Sequence, residues 1–183
     1  MKSLPNILTL SRVLVIPALV AVFFLIKGDM SYWLTFVIFA LAGITDFFDG
    51  YLARTYGTTS KLGQFMDPVA DKLMIGATII MLVAFDRVTG VHIIAVMIIL
   101  LREIMVSGLR EFLAELSVSI PVTNLAKWKT TFQMLALGAL LIGQAAPSWL
   151  PAYDIGIYSL WLAAILTLYT GYDYLKAGLK HMN

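Results

Sequence analysis

ITDFFDGYLARTYGTTSKLGQFMDPVADK, residues 44–72, places four aspartates in an otherwise apolar chain. They form two pairs, Asp46 with Asp49 and Asp67 with Asp71, spaced three and four residues apart. Such spacings put both members of a pair on one face of a helix. The glycines, threonines and serine between the pairs are typical of a tight turn. The stretch therefore predicts two helices that meet, each presenting two carboxylates to the other.

Four carboxylates that repel one another need a counter-charge. Mg²⁺ takes oxygen ligands and commonly combines one or two carboxylates with waters and substrate phosphate oxygens. Two such ions, about 3.5–4 Å apart, can clamp an in-line phosphoryl displacement. The aspartates therefore predict a site for hard divalent cations and, through them, phosphoryl chemistry.

The composition indicates a membrane protein. The chain has 183 residues, 60% of them hydrophobic, with a mean hydropathy of +0.88, whereas soluble domains are about 45–50% apolar. Acidic side chains at membrane depth are functional candidates by default. A net charge of +2 is too small to indicate a nucleic-acid partner. The absence of cysteine excludes thiol nucleophiles and thiolate metal sites.

The predicted fold is an all-α polytopic membrane domain that comprises residues 1–183. At roughly 20 residues per span, this length holds six transmembrane helices. Residues 1–12 predict a short amphipathic helix in the membrane interface. Pro68 suits the first turn of the third span, and Asp67 before it suits an N-cap. The spans are predicted at residues 13–26, 32–54, 67–85, 91–113, 127–142 and 155–175.

Charge asymmetry predicts the orientation. With six spans both termini lie on one side of the membrane, and most basic residues collect there, while Lys27 and Arg87 fall on the other side. Because cytoplasmic loops carry the excess of Lys and Arg, we expect both termini and the aspartates to face the cytoplasm.

The aspartate stretch also resembles a family signature. Asp46-x-x-Asp49-Gly50-x-x-Ala53-Arg54, then eight residues, then Gly63-x-x-x-Asp67-x-x-x-Asp71 is similar to the pattern of the CDP-alcohol phosphotransferase family. Eight positions match across 26 residues. The resemblance implies an integral membrane enzyme that moves a phosphatidyl group from a CDP-linked lipid to an alcohol and releases CMP.

The resemblance also implies roles for individual residues. The four aspartates would ligate one or two Mg²⁺ ions, or Mn²⁺, and Asp71 would be the general base that takes the alcohol proton. Ser60 occupies the position of a residue that contacts the nucleotide. Gly50 lacks a Cβ, so the nucleotide can approach its backbone. Arg54 offers a fork of donors to phosphate oxygens, and its alternative role is a membrane-surface anchor.

The N-terminal segment offers two more candidates. Its P-N-x-x-T-x-x-R pattern resembles one that many family members carry, which implies that Asn6 and Thr9 face the CDP-lipid. The alternative is that the segment only anchors the chain in the membrane interface.

Basic residues outside the signature bear on the acceptor alcohol. The segments 102–115 and 126–133 resemble members of the family that use sn-glycerol 3-phosphate, an anionic acceptor that needs a cationic pocket. The candidates for that pocket are Arg110, Lys127, Lys129 and Arg102. Arg102 has an alternative role in an ion pair with Glu103, and Lys129 can instead extend to the lipid headgroups.

Other functions stay open at this point. Within the family the acceptor can be inositol phosphate, serine, choline or phosphatidylglycerol. An intramembrane prenyltransferase also uses aspartate pairs with Mg²⁺, and a cation transporter can use aspartates as an ion path. The resemblance further implies a bacterial cytoplasmic (inner) membrane location and a homodimer, to which close helix packing at Gly138 and Gly143 could contribute.

Overall fold

In the part of the chain that the structure describes, the regular elements are helices joined by short turns. A computed structural model describes residues 4–56, 61–116, 118 and 124–179, with side chains for 14–46, 69–116, 118 and 124–179. Within these ranges there are six α-helices and no strand, which confirms the predicted all-α class. The helices are α1 (Leu4–Leu25), α2 (Asp29–Tyr56), α3 (Lys61–Ala84), α4 (His92–Glu115), α5 (Asn124–Ile142) and α6 (Ala152–Leu179), with a 3₁₀ turn at Gly143–Ala145.

The starts of α1 and α3 differ most from the sequence prediction. Helix α1 runs without a break from Leu4 to Leu25, so residues 1–12 do not form a separate helix. Pro5 is the only helix-breaking residue type in that segment, and proline is tolerated in a first turn. Helix α3 begins at Lys61, so Asp67 is inside the helix and its prediction as an N-cap is wrong. Pro68 suits a first helical turn, yet α3 begins seven residues before it and continues through it.

Helices α4 and α6 are long and apolar enough to cross a bilayer. In the part of the chain that the structure describes, these two pass a test of length and hydropathy, and the apolar stretch Leu14–Leu25 of α1 is shorter. Both helices also expose large apolar side chains, among them Ile94, Leu101, Ile165 and Leu168. Exposed apolar surface of this kind marks a contact with lipid or with another protein.

The chain divides into two compact units. The first comprises Met1–Arg87 with Leu141–Leu150, and the second comprises Val88–Leu140 with Pro151–Asn183. The first therefore contains both aspartate helices, and the second contains all four basic candidates. The prediction of a single domain is not tested by this division.

In the first unit α1 packs against both α2 and α3. Arg87, which follows α3, contacts the end of α1 and the start of α2. The Arg87 guanidinium, 7% exposed, donates to Ser31 Oγ at 2.9 Å, Thr35 Oγ1 at 3.0 Å and the Leu141 carbonyl at 2.8 Å. It also lies over the ring of Tyr32, 3.8 Å from the ring centroid. Burial lowers the pKa of Arg87 and Tyr32 opposes that shift, but a guanidinium stays protonated at physiological pH.

In the second unit α4 and α6 run parallel. Trp161 Nε1 donates to His92 Nδ1 across an offset of 69 residues, and Arg102 donates to Thr170 across an offset of 68. Gly178 lies against Leu109 at the same offset of 69 residues, since a Cβ on Gly178 would lie 2.8 Å from Cδ1 of Leu109. A constant offset is what parallel neighbours require. Each residue on the contact face of α4 therefore lies near the residue of α6 that follows it by 68 or 69 positions.

Helix α5 runs antiparallel to them. Near its start Lys129 contacts Glu103 of α4, and near its end Leu140 lies against Gly156 at the start of α6. Its buried stripe comprises Lys129, Gln133, Ala136, Leu137 and Leu140. The spacing of these residues is that of one helix face.

Candidate active site

Both aspartate pairs lie on helices, as their spacing predicts. Helix α2 includes residues 46 and 49, and α3 includes residues 67 and 71. Gly50 belongs to α2 and Gly63 to α3, so both helices extend further along the chain than predicted, and residues 57–60 lie outside the described residues.

The structure describes the side chains of two of the four aspartates. Asp46 is half-buried near the middle of α2, and Asp71 is exposed on α3. Exposure suits a group that must reach a substrate proton, since a general base acts within hydrogen-bond distance of it. The side chains of Asp49 and Asp67 lie outside the described residues.

The candidates for CDP-lipid binding also lie outside the described side chains. These residues are Asn6, Thr9, Gly50, Arg54 and Ser60, of which the first four lie on the backbones of α1 and α2. Their predicted roles stay predictions.

The predicted metal fits the chemistry of the donors that are present. Aspartate supplies hard oxygen ligands, and the chain has no cysteine that would favour a softer metal. Among the described side chains, which do not include those of Asp49 and Asp67, no three acidic or histidine groups come together. The residues that would hold Mg²⁺ are Asp46, Asp49, Asp67 and Asp71.

Three of the four basic candidates lie among contacts that link α4, α5 and α6. Lys129, 6% exposed, donates to Glu103 Oε1, and Arg102, 8% exposed, lies 3.4 Å from the same oxygen. Arg102 Nη2 also donates to Thr170 Oγ1 at 2.9 Å. We refer to Arg102, Glu103, Arg110, Lys129, Thr170 and Tyr174 as the basic cluster.

The contacts settle two of the alternatives. Arg102 does form an ion pair with Glu103, as its structural alternative predicted. Lys129 does not extend to the lipid headgroups, because its ammonium is buried against Glu103. One carboxylate thus faces two buried cations, which leaves the group with an excess of positive charge.

Tyr174 is a residue of the cluster that the sequence prediction missed. Arg110 Nη2 donates to the Tyr174 hydroxyl, and the guanidinium lies 4.7 Å from the ring centroid. Arg102 lies over the same ring at 5.9 Å. The α6 residues in these contacts follow α4 by 64 and 68 positions. No local pattern signals such pairs, although Thr170 and Tyr174 lie four apart on one face of an apolar helix.

Lys127 differs from the other three candidates. It is exposed in the first turn of α5. In the part of the chain that the structure describes, no contact joins it to the cluster. A role in holding an acceptor phosphate therefore has less support for Lys127 than for Lys129.

The small residues named for oligomer contacts are buried inside the chain. Gly138 is buried in α5, and a Cβ on Gly143 would lie 3.3 Å from the Tyr32 ring. Both glycines therefore serve packing within their own units. They give no support to the predicted homodimer.

Comparison with known proteins places the chain in a family. The model of the CDP-alcohol phosphatidyltransferase family matches residues 2–169. A Rickettsia felis protein named CDP-diacylglycerol–glycerol-3-phosphate 3-phosphatidyltransferase is 47% identical over 180 residues, which cover 98% of this chain and 97% of that protein. Proteins of the same name from Haemophilus influenzae and Cereibacter sphaeroides are 42% and 35% identical, over 95% and 98% of this chain and 92% and 97% of those proteins. The chain belongs to the CDP-alcohol phosphatidyltransferase family.

Proposed function

We propose that this protein transfers the phosphatidyl group of CDP-diacylglycerol to sn-glycerol 3-phosphate, giving phosphatidylglycerophosphate and CMP. The observation that carries the acceptor assignment is the basic cluster, in which three cations accompany one carboxylate. An acceptor with its own phosphate needs such a cluster, whereas serine or choline does not. The relatives at 35–47% identity have the corresponding name, and this chain aligns with nearly their whole length.

The reaction is a displacement at the phosphorus that bears the diacylglycerol. The oxygen of the acceptor hydroxyl forms a bond to that phosphorus while the bond to the CMP oxygen breaks. Asp71 takes the hydroxyl proton, so the attacking oxygen gains nucleophilicity as it forms the new bond. CMP leaves with the electron pair of the broken bond.

The remaining residues bind and orient the two substrates. Asp46, Asp49, Asp67 and Asp71 would hold one or two Mg²⁺ ions, or Mn²⁺, and the bound metal would neutralise the charge of the diphosphate. Asn6, Thr9, Gly50, Arg54 and Ser60 hold the CDP-lipid. Arg102, Arg110 and Lys129 hold the acceptor phosphate, with Lys127 at the exposed start of α5. Arg110 is the best candidate for binding the phosphate, because its guanidinium donates to the hydroxyl of Tyr174 rather than to a carboxylate.

The setting is a membrane. The substrate is a lipid, and helices α4 and α6 are apolar enough to span a bilayer. We propose that the chain crosses the bacterial cytoplasmic (inner) membrane six times, as a homodimer, with both termini and the site on the cytoplasmic side, where a soluble acceptor is found. The prenyltransferase and transporter alternatives lose their support, since the chain belongs to a different family.

The acceptor is tested with a panel. Detergent-purified protein would receive CDP-diacylglycerol, Mg²⁺ and one of glycerol 3-phosphate, inositol phosphate, serine, choline or phosphatidylglycerol, and CMP release would be measured. We expect release with glycerol 3-phosphate and its loss when EDTA is added. Release with serine or choline instead would leave the aspartate site in place and contradict the role of the basic cluster, whereas release with inositol phosphate would change only the acceptor.

A further inference from the structure

Beside the basic cluster, buried polar atoms of the second unit lack hydrogen-bond partners among the described residues. They are Arg102 Nε, Thr167 Oγ1, and both Oε1 and Nε2 of the Gln133 amide. Gln133 is 1% exposed and Thr167 is fully buried. Each comes from a different helix, α4, α6 and α5.

These atoms adjoin the cluster. Gln133 follows Lys129 by one turn on the buried stripe of α5. Thr167 precedes Thr170 by one turn on α6, and Thr170 accepts a hydrogen bond from Arg102 itself. The unmet hydrogen-bonding groups therefore extend the cluster toward the middle of the helices.

An unpartnered amide at position 133 has a stability cost. Leaving a buried donor or acceptor unpaired destabilises the fold, and nearly all buried polar groups in proteins are paired. The neighbours of Gln133 on the stripe, Ala136 and Leu137, show that an apolar side chain suits this face. A residue that lowers stability without an internal partner is expected where a ligand supplies the partner.

The unmet atoms specify the chemistry of that partner. The Arg102 Nε–H and the Gln133 Nε2 hydrogens need acceptors, whereas Gln133 Oε1 needs a donor. A phosphate dianion offers acceptors only, and a hydroxyl group offers both a donor and acceptors. We propose that Gln133 binds the hydroxyl of glycerol 3-phosphate that does not react, while Arg102 Nε faces the phosphate. The proposal rests on the proposed function and makes Gln133 a specificity-determining residue.

The test removes the second hydroxyl from the acceptor and, separately, the side-chain amide from position 133. The reaction rate would be measured with glycerol 3-phosphate and with 1,3-propanediol monophosphate, which keeps a reacting hydroxyl and the phosphate but lacks the second hydroxyl. The proteins would be the wild type, Gln133→Met, and Gln144→Met, which makes the same change at an exposed position.

A site built to hydrogen-bond a hydroxyl rejects an analogue that lacks it. We therefore expect the wild type and Gln144→Met to prefer glycerol 3-phosphate by at least about tenfold in kcat/KM, and Gln133→Met to use the two acceptors within about twofold of each other. The KM for CDP-diacylglycerol should not change. The melting temperature of Gln133→Met should equal or exceed that of the wild type, because the variant buries no unpaired amide.

Two results would overturn the proposal. If Gln133→Met keeps the wild-type preference, the hydroxyl is recognised elsewhere; Gln133→Asn, which withdraws the amide by one methylene, serves the same comparison if the Met variant does not fold. If the wild type shows no preference, no residue recognises that hydroxyl. Failure of the proposed function itself would appear earlier, as wild-type protein that does not use glycerol 3-phosphate at all.

Discussion

At the scale of single residues, Asp71 combines exposure with a place in the aspartate signature. Replacing Asp71 by Asn removes the base but keeps a carbonyl oxygen as a possible ligand. General-base catalysis contributes about 10²–10⁴-fold, so we expect kcat to fall at least about 100-fold. The dissociation constant for CDP-diacylglycerol should change little. Rates from CMP release and binding of labelled lipid would give both quantities.

The matched control is Asp154→Asn, at an exposed aspartate in the first turn of α6. It should retain its rate, since Asp154 has no part in the proposed chemistry. Near-normal turnover in Asp71→Asn would remove Asp71 as the base and leave it only as a ligand.

Lys129 and Lys127 lie two residues apart on α5 and differ in their surroundings. Lys129 is buried against Glu103, whereas Lys127 is exposed. We expect Lys129→Met to raise the KM for glycerol 3-phosphate by about tenfold or more, the effect of losing roughly 1.4 kcal/mol of binding. The KM for CDP-diacylglycerol should stay within about twofold.

Lys127→Met provides the comparison, with a smaller expected rise in the KM for glycerol 3-phosphate. A larger effect at Lys127 than at Lys129 would move the acceptor phosphate to the exposed start of α5. Equal changes in the KM of both substrates in Lys129→Met would mean that the basic cluster supports the fold rather than the acceptor.

At the scale of helices, two glycines permit a direct comparison of packing. A Cβ on Gly171 of α6 would lie 3.1 Å from Cγ of Arg102, whereas a Cβ on Gly108 of α4 would meet nothing within 4 Å. Gly171→Ala should displace the Arg102 stem and raise the KM for glycerol 3-phosphate by several-fold, because small misplacements of binding groups weaken binding strongly.

Gly108→Ala should leave that KM unchanged and raise the melting temperature slightly, since Ala exceeds Gly in helix stability by about 0.5–1 kcal/mol. Steady-state kinetics and thermal unfolding in detergent measure both variants. An unchanged acceptor KM in Gly171→Ala would show that the position of Arg102 does not matter for the acceptor.

Arg87, just after the end of α3, contacts several other segments of the first unit. Arg87 bonds Ser31 and Thr35 on α2 and the carbonyl of Leu141, and it lies over Phe23 of α1 at 4.4 Å from the ring centroid. Hydrogen bonds to charged groups contribute about 1.5–3 kcal/mol. Arg87→Met should therefore lower the melting temperature by at least about 5 °C.

Lys27→Met, at an exposed basic position between α1 and α2, is the control and should unfold near the wild-type temperature. The KM values of Arg87→Met should match the wild type, because no acceptor or CDP-lipid residue is among these contacts. An unchanged melting temperature would show that the contacts of Arg87 add nothing to stability.

At the scale of the whole molecule, the sequence predicts helices better than contacts. Hydropathy and aspartate spacing correctly predict an all-α chain with each aspartate pair on one helix. The sequence predicts the start of α3 at Asp67 because proline is favoured in a first helical turn. The helix instead begins at Lys61 and continues through Pro68, although proline usually interrupts a helix. The contacts of Arg102 with Thr170 and of Arg110 with Tyr174 span 68 and 64 residues, and only the packed structure brings these partners together.

The central claim is the transfer of a phosphatidyl group to glycerol 3-phosphate, and one assay measures it directly. Purified protein would receive CDP-diacylglycerol, Mg²⁺ and ¹⁴C-labelled glycerol 3-phosphate, and both CMP and label in the chloroform phase would be measured. We predict one labelled lipid for each CMP, with both lost in EDTA and restored by Mg²⁺. CMP release without label in the lipid phase, or labelling that persists in EDTA, would contradict the proposed mechanism.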